Sequence, residues 1–208
     1  MMKYEIKPVL CGPYQENAYL LCPEGTRDAL LIDPGDDLNA LKRALEVSGR
    51  TLRAILLTHG HFDHMLSAQP LSRITGAPVY VHPLDQELLC DGDKNAYDPD
   101  CASQPCPVDF EAEELEEEIE ICGIHFRVLH TPGHTLGSVC YYDEENGILF
   151  SGDTLFCAGF GRMDLYGGSP AQMRTSLRGL FALPEETQVY CGHGPMTSIR
   201  SEKRRYSL

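Results

Sequence analysis

Four potential metal ligands crowd into six residues of this chain, in the stretch Thr58-His59-Gly60-His61-Phe62-Asp63-His64, directly after the apolar run Ala54-Ile55-Leu56-Leu57. Such a run reads as a buried strand, so the ligands stand where a strand opens into a loop. Imidazole and carboxylate have little packing value there, because burying them unpaired is costly. Three imidazoles and a carboxylate suit zinc or a neighbouring first-row metal, and their spacing is too tight for one compact tetrahedral centre. Two ions are expected instead. His59 and His61, two residues apart, point to one side of an extended chain. Asp63 and His64 lie around the bend, where a helix would begin, and can face a second ion.

Such a pair of ions needs more ligands, and three later strands supply candidates. Residues 124–128 run into His130-Thr131-Pro132-Gly133-His134-Thr135, where Pro132 and Gly133 force a turn that presents His134. Residues 147–150 end at Ser151-Gly152-Asp153-Thr154, and residues 188–191 end at Gly192-His193-Gly194-Pro195. In each case a lone ligand follows an apolar strand, beside small or turn-forming residues that allow close approach to an ion. His82 and His125 read as surface or strand-end residues; His130 lies four residues before His134, within reach of a supporting role, and all three are left out of the site.

The rest of the chain alternates strands and helices. Strands are expected at 4–10, 18–21, 29–32, 53–57 and 79–81, then as hairpins at 119–121 with 124–128 and 139–142 with 147–150, and last at 188–191. Helices are expected from Leu38, capped by Asp36 or Asp37 and stopped at Gly49, then at 65–74, 83–90 and 170–183, the last started by Ser169. Residues 91–110 are irregular and read as a lid or an edge filler. The seven Glu of residues 111–120 read as a solvated face or strand lead-in, because like charges in a run repel rather than converge.

Charge and cysteine usage narrow the partners. Seventeen Lys and Arg against thirty-one Asp and Glu give a net charge of −14, which argues against nucleic acid and against an anionic membrane surface. The N-terminus lacks the apolar core of a signal peptide, and no eighteen apolar residues run together. Nine cysteines without any C-x-x-C pair fit reduced thiols in the cytoplasm.

The spacing T-H-x-H-x-D-H, followed by single His, Asp and His at strand ends, resembles the metallo-β-lactamase superfamily. The likeness extends to Asn17-Ala18-Tyr19-Leu20, Asp33-Pro34-Gly35, Thr131-Pro132-Gly133-His134-Thr135 and Ser151-Gly152-Asp153-Thr154-Leu155-Phe156, and within the superfamily the chain is most similar to short forms of glyoxalase II, the hydroxyacylglutathione hydrolases. The resemblance implies an α/β fold, a four-layer αββα sandwich, over a single domain, 1–208, with 15 residues after His193 and no C-terminal glutathione-binding helical domain. It assigns His59, His61 and His134 to one divalent metal, Asp63, His64 and His193 to the other, and Asp153 to the bridge, with Zn2+ the first choice and Fe or Mn the others. The implied reaction is attack of a metal-held hydroxide on an acyl carbon, most readily a small-molecule thioester such as S-lactoylglutathione, whose thiolate leaves easily. Asp63 would also orient the hydroxide as a catalytic residue, and Arg162, in Gly159-Phe160-Gly161-Arg162-Met163-Asp164-Leu165, would hold a substrate anion. Three alternatives stay open: a mononuclear iron persulfide dioxygenase using His59, His134 and Asp153, a lactone hydrolase, and a non-catalytic metal-binding module.

Overall fold

A computed structural model describes residues 2–206. Its strands form two six-stranded sheets. The first runs in the order β1 (Tyr4–Cys11), β2 (Glu16–Pro23), β3 (Asp28–Ile32), β4 (Thr51–Leu56), β5 (Val79–Val81) and β6 (Glu113–Glu114), antiparallel through β3 and parallel from there on. The second runs β12 (Thr197–Ser198), β11 (Gln188–Cys191), β10 (Ile148–Gly152), β9 (Val139–Asp143), β8 (Ile124–His130) and β7 (Glu118–Ile121), antiparallel except between β10 and β11.

Strand periodicity builds the layers. Successive side chains of a strand face opposite ways, so a strand buried on both faces must be apolar throughout. In β2, Tyr19 and Leu21 turn inward to meet the second sheet, while Leu20 and Cys22 turn outward. Leu30 and Ile32 against Leu31, and Ala54 and Leu56 against Ile55, repeat the division in β3 and β4. Between the sheets these side chains pack on Phe126, Val139, Tyr141 and Phe150. The outer face of the first sheet is covered by α1 (Leu38–Ser48) through Leu41 and by α3 (Ala68–Thr75) through Leu71. That of the second is covered by α4 (Pro170–Leu180) through Met173, Leu177 and Leu180, and by α5 (Ile199–Arg205) through Ile199. The result is the four-layer αββα arrangement.

Several local expectations need adjusting. The helix expected over 65–74 is two helices, α2 (Phe62–Met65) and α3. Pro70 lacks an amide for the carbonyl four residues back, that of Leu66, and its ring would clash there, so the helix restarts; the Ser67 amide donates instead to the Pro34 carbonyl. Helix α4 stops at Leu180 rather than 183, and the chain tightens into three-residue turns before Pro184. The segment 83–90 is a 3₁₀ helix, Pro83–Cys90. The acidic run lends Glu113 and Glu114 to one edge strand, β6, and residues 118–120 to another, β7, while Leu115 between them is buried. Strand β12 and helix α5, capped by Ser198, were not foreseen. Among the described residues no helix is long and apolar enough to cross a membrane.

The two sheets are also stitched by polar bonds near the carboxyl ends of their strands. The buried Tyr141 hydroxyl donates to the Leu57 carbonyl at 2.6 Å, one residue before Thr58. Tyr141→Phe keeps the ring and leaves that buried carbonyl without the hydroxyl, which should cost about 1–3 kcal/mol. Urea unfolding of the two proteins measures it; an unchanged midpoint would mean that the bond contributes nothing.

Candidate metal centre

Strands β4, β8, β10 and β11 all point their carboxyl ends at one edge of the sandwich, and the loops that follow them carry the seven expected ligands. Ligand atoms of His59, His61 and His134 lie within 4.8 Å of one another, as do those of Asp63, His64 and His193. Asp153 stands between the two groups: its Oδ2 is 3.4 Å from His134 Nε2 and 3.8 Å from His193 Nε2, and its Oδ1 is 3.3 Å from His64 Nε2. His193 Nε2 is 3.3 Å from Asp63 Oδ2. This crowding depends on Gly192, where a Cβ would stand 2.4 Å from Asp153 Oδ1 and 2.7 Å from His64 Cε1.

Each outer ring nitrogen is held so that the other faces inward. His134 Nδ1 donates to the carbonyl of Arg162 at 2.7 Å, and His193 Nδ1 donates to the carbonyl of Tyr14 at 3.1 Å. A carbonyl only accepts, so in the neutral form of either ring Nε2 is the nitrogen that carries the lone pair. His64 Nδ1 is 3.1 Å from Asp33 Oδ2. His59 Nδ1 is 3.0 Å from Thr58 Oγ1, which in turn donates to Asp33 Oδ2 at 2.7 Å. The Asn17 side chain donates to the carbonyls of Cys191 and Gly194 on either side of His193, at 3.1 and 2.9 Å.

Whether these residues fit a metal is tested by what they leave unpaired. His59 Nε2, His61 Nε2 and Asp153 Oδ1 are buried with no hydrogen-bond partner. Orphaned buried polar atoms are rare because they cost the full desolvation of the group, and three of them among seven clustered ligand residues ask for a cation. The set, imidazole nitrogen with carboxylate oxygen, suits zinc or iron.

Electrostatics agree with that fit. Burial would raise the Asp153 carboxyl, but His64, His134 and His193 overcome it and hold the group ionised; for Asp63, His64 and His193 do the same. Burial and then neighbouring imidazoles push His59 well down, and burial followed by His134 pushes His61 down to about 3. His64 goes the other way, raised against burial by Asp153 and Asp63.

The remaining expectations sort as follows. Arg162 lies on the loop that touches His134, but its exposed guanidinium forms a two-pronged pair with Asp164, both bonds 2.7 Å. His130 does not support His134: its ring stacks on His82, centroids 4.3 Å apart, and its Nε2 donates to the Leu136 carbonyl. His125 pairs with Glu118 at the surface. The 91–110 segment is pinned beside the centre, with Asn95 fully buried and its carbonyl accepting from the Phe62 amide. Sequence reasoning missed Tyr14, whose contribution is a carbonyl that any residue carries, as well as Asp85 and the buried Glu16.

Two outcomes follow. Asp153→Ala removes the carboxylate that touches both groups, so metal retained after dialysis should fall for both; elemental analysis showing two ions still bound would exclude a bridging place for Asp153. In the metal-free fold, His59 and His61 refuse protons that the unfolded chain accepts from about pH 6.5 downward, so each lowers stability as pH falls. Glu16, kept protonated by burial, acts in the opposite sense, and so does His64 down to about pH 6, below which it is charged in the unfolded chain as well. Below about pH 6 two imidazoles outweigh one carboxyl, so the melting temperature of metal-free protein should drop between about pH 6 and pH 5; a flat or rising profile there would contradict neutral His59 and His61.

Comparisons with known proteins agree with this geometry. Residues 11–193 match the family described as the metallo-beta-lactamase superfamily. The chain is 36% identical over 207 residues to the probable metallo-hydrolase YqgX of Bacillus subtilis (strain 168), covering 97% of this chain and 95% of that one. It is 40% identical over 195 residues to the hydroxyacylglutathione hydrolase of Pseudomonas entomophila (strain L48), covering 93% of this chain but 66% of the hydrolase. Among solved structures, BLEG-1 B3 metallo-beta-lactamase superposes with a TM-score of 0.89 at 38% identity, covering 96% and 97% of the two chains. TTHA1623 in a di-iron-bound form gives 0.84 at 42%, covering 97% and 98%. With its ligand spacing, its layered fold and the match over residues 11–193 in agreement, the chain belongs to the metallo-β-lactamase superfamily.

Proposed function

We propose that the chain is a metal-dependent hydrolase that cleaves a small-molecule thioester of the S-lactoylglutathione kind, using two divalent ions, Zn2+ foremost. The observation that carries this is the pair of three-ligand groups joined at Asp153. His59, His61 and His134 would hold one ion, and Asp63, His64 and His193 the other. Such a pair supplies a water acidified toward neutral pH and a Lewis acid for the acyl oxygen. The hydroxyacylglutathione hydrolase named above supports the thioester, and TTHA1623 in its di-iron-bound form keeps iron beside zinc as the metal.

The chain's own residues then have definite tasks. Asp63 is held ionised, and its side chain is 18% exposed while His64 beneath it is fully buried, so it borders the open side of the centre. There it accepts a hydrogen bond from the attacking water and aims its oxygen at the acyl carbon. The C–S bond breaks as the C–O bond forms, and sulfur leaves as thiolate; a free thiol has a pKa near 8.5, so departure needs no proton from a protein acid. Arg162 is 62% exposed and, among the described residues, its guanidinium is hydrogen-bonded to Asp164 alone; water screens such an exposed pair, so it can exchange that partner for a substrate carboxylate at little cost. Net charge of −14 and nine free cysteines support a cytoplasmic enzyme without nucleic-acid or membrane partners.

One preparation tests the reading: metal content by elemental analysis, with S-lactoylglutathione hydrolysis, glutathione-persulfide oxygen uptake and β-lactam hydrolysis assayed on that sample. About two ions per chain with thioester turnover is the expected result. One iron with oxygen consumption, or turnover of the β-lactam alone, would replace it. Arg162→Ala leaves its carbonyl on His134 intact, and should raise KM for an anionic thioester about 3- to 10-fold with kcat and metal retained; an unchanged KM would reduce Arg162 to Asp164's partner.

A further inference from the structure

We propose that Asp85 is a positioning residue that fixes the three-histidine half of the centre and sets how tightly that half keeps its ion. The proposal rests on the two-metal reading above and assigns a role to a residue outside the seven ligands. Asp85 lies on the 3₁₀ helix Pro83–Cys90 and is fully buried. Its Oδ2 accepts from the Gly60 amide at 2.9 Å and from the Thr135 hydroxyl at 2.7 Å, and its Oδ1 accepts from the Gly137 amide at 2.6 Å.

Those three donors belong to the two loops that must meet. Gly60 is the residue between His59 and His61, and Thr135 follows His134. His61 and His134 are 73 residues apart in sequence, yet their ring nitrogens approach to 2.8 Å. One carboxylate bonded to both loops fixes their separation, and with it the spacing of the three imidazoles.

Close backbone approach makes the same point independently. A Cβ at Gly137 would stand 2.7 to 2.8 Å from Asp85 Oδ1, Cγ and N, and one at Gly60 would stand 2.6 Å from Leu88 Cβ. Both loops are thus shaped to lie against this helix. A residue that merely filled space there would not need three directed donors, two of them backbone amides that only donate. The other half of the centre is held separately: His64 by Asp33, and His193 by the Tyr14 carbonyl. The effect of Asp85 should therefore be confined to one of the two ions.

The test is zinc titration of the metal-free full-length protein against a chromophoric chelator. Asp85→Asn keeps size but turns an NH2 toward at least one of the three donors. Wild type should bind two ions; in Asp85→Asn one step should weaken about 10- to 100-fold, the range for losing an orienting partner, with the other step unchanged. Thr135→Val removes a single donor and keeps the volume, so the same step should weaken by a smaller factor even if the first variant folds poorly. His61→Ala identifies the step: it should abolish the one that Asp85→Asn weakens, and Asp85→Asn added to it should not alter the step that remains. Equal weakening of both steps, or unchanged affinities with only a lower melting temperature, would overturn the proposal and leave Asp85 a packing residue. Wild type binding no zinc or iron at all would instead overturn the two-metal reading on which it stands.

Discussion

The centre depends on one buried carboxylate. Asp33 accepts from the Thr58 amide through Oδ1, and through Oδ2 it receives the Thr58 hydroxyl and sits 3.1 Å from His64 Nδ1. Thr58 in turn holds His59 Nδ1, so the orientation of a histidine in each half traces back to the same group. Asp33 is 2% exposed and adopts a left-handed φ of 47°, a conformation that Asp tolerates better than most residues. A carboxylate so placed would be costly were its oxygens not filled, and filling them is what aligns the metal-binding loop.

How much of this was legible in the sequence follows from the kind of information each part carries. Two-faced strands appear as unbroken apolar runs, so 18–21, 29–32 and 53–57 could be placed to within a few residues, and the single ligands could be found because each follows a strand, whether continuous or alternating in its apolar residues. Boundaries set by one local rule could be misjudged: the restart forced by Pro70 and the stop before Pro184 were both written in the chain and outweighed by apolar spacing. The contributions of Tyr14 and Arg162 to ring orientation were not legible, because a backbone carbonyl leaves no mark on residue type. Asp85 was illegible for another reason. An acidic residue in the first turn of a helix has an ordinary local explanation, and only the fold reveals that its partners are Gly60, Thr135 and Gly137.

Arg162 shows how one position can serve two ends without conflict. Its carbonyl is committed to His134, whereas its guanidinium is in solvent with an exchangeable partner. Orientation of the ligand then survives any side chain at that position, and the side chain remains available for recognition of a substrate. The adjacent Gly161 lets this strand of chain pass close to the ring, since a Cβ there would meet His134 Nδ1 at 2.8 Å.

The ligands come from both sheets: His59, His61, Asp63 and His64 follow β4 of the first, and His134, Asp153 and His193 follow β8, β10 and β11 of the second. Neither sheet carries a complete group, because each three-ligand set draws on both. The centre therefore exists only when the sheets are packed and in register. The bonds that secure the register lie next to the ligands: Tyr141 to Leu57, the Val139 amide to the Thr58 carbonyl, and Asn17 and Tyr19 to Cys191. An ion that binds the folded chain and finds no such site in the unfolded one stabilises the fold by mass action. Its binding energy acts across the sheet interface, so the packing that assembles the centre and the metal that fills it reinforce each other.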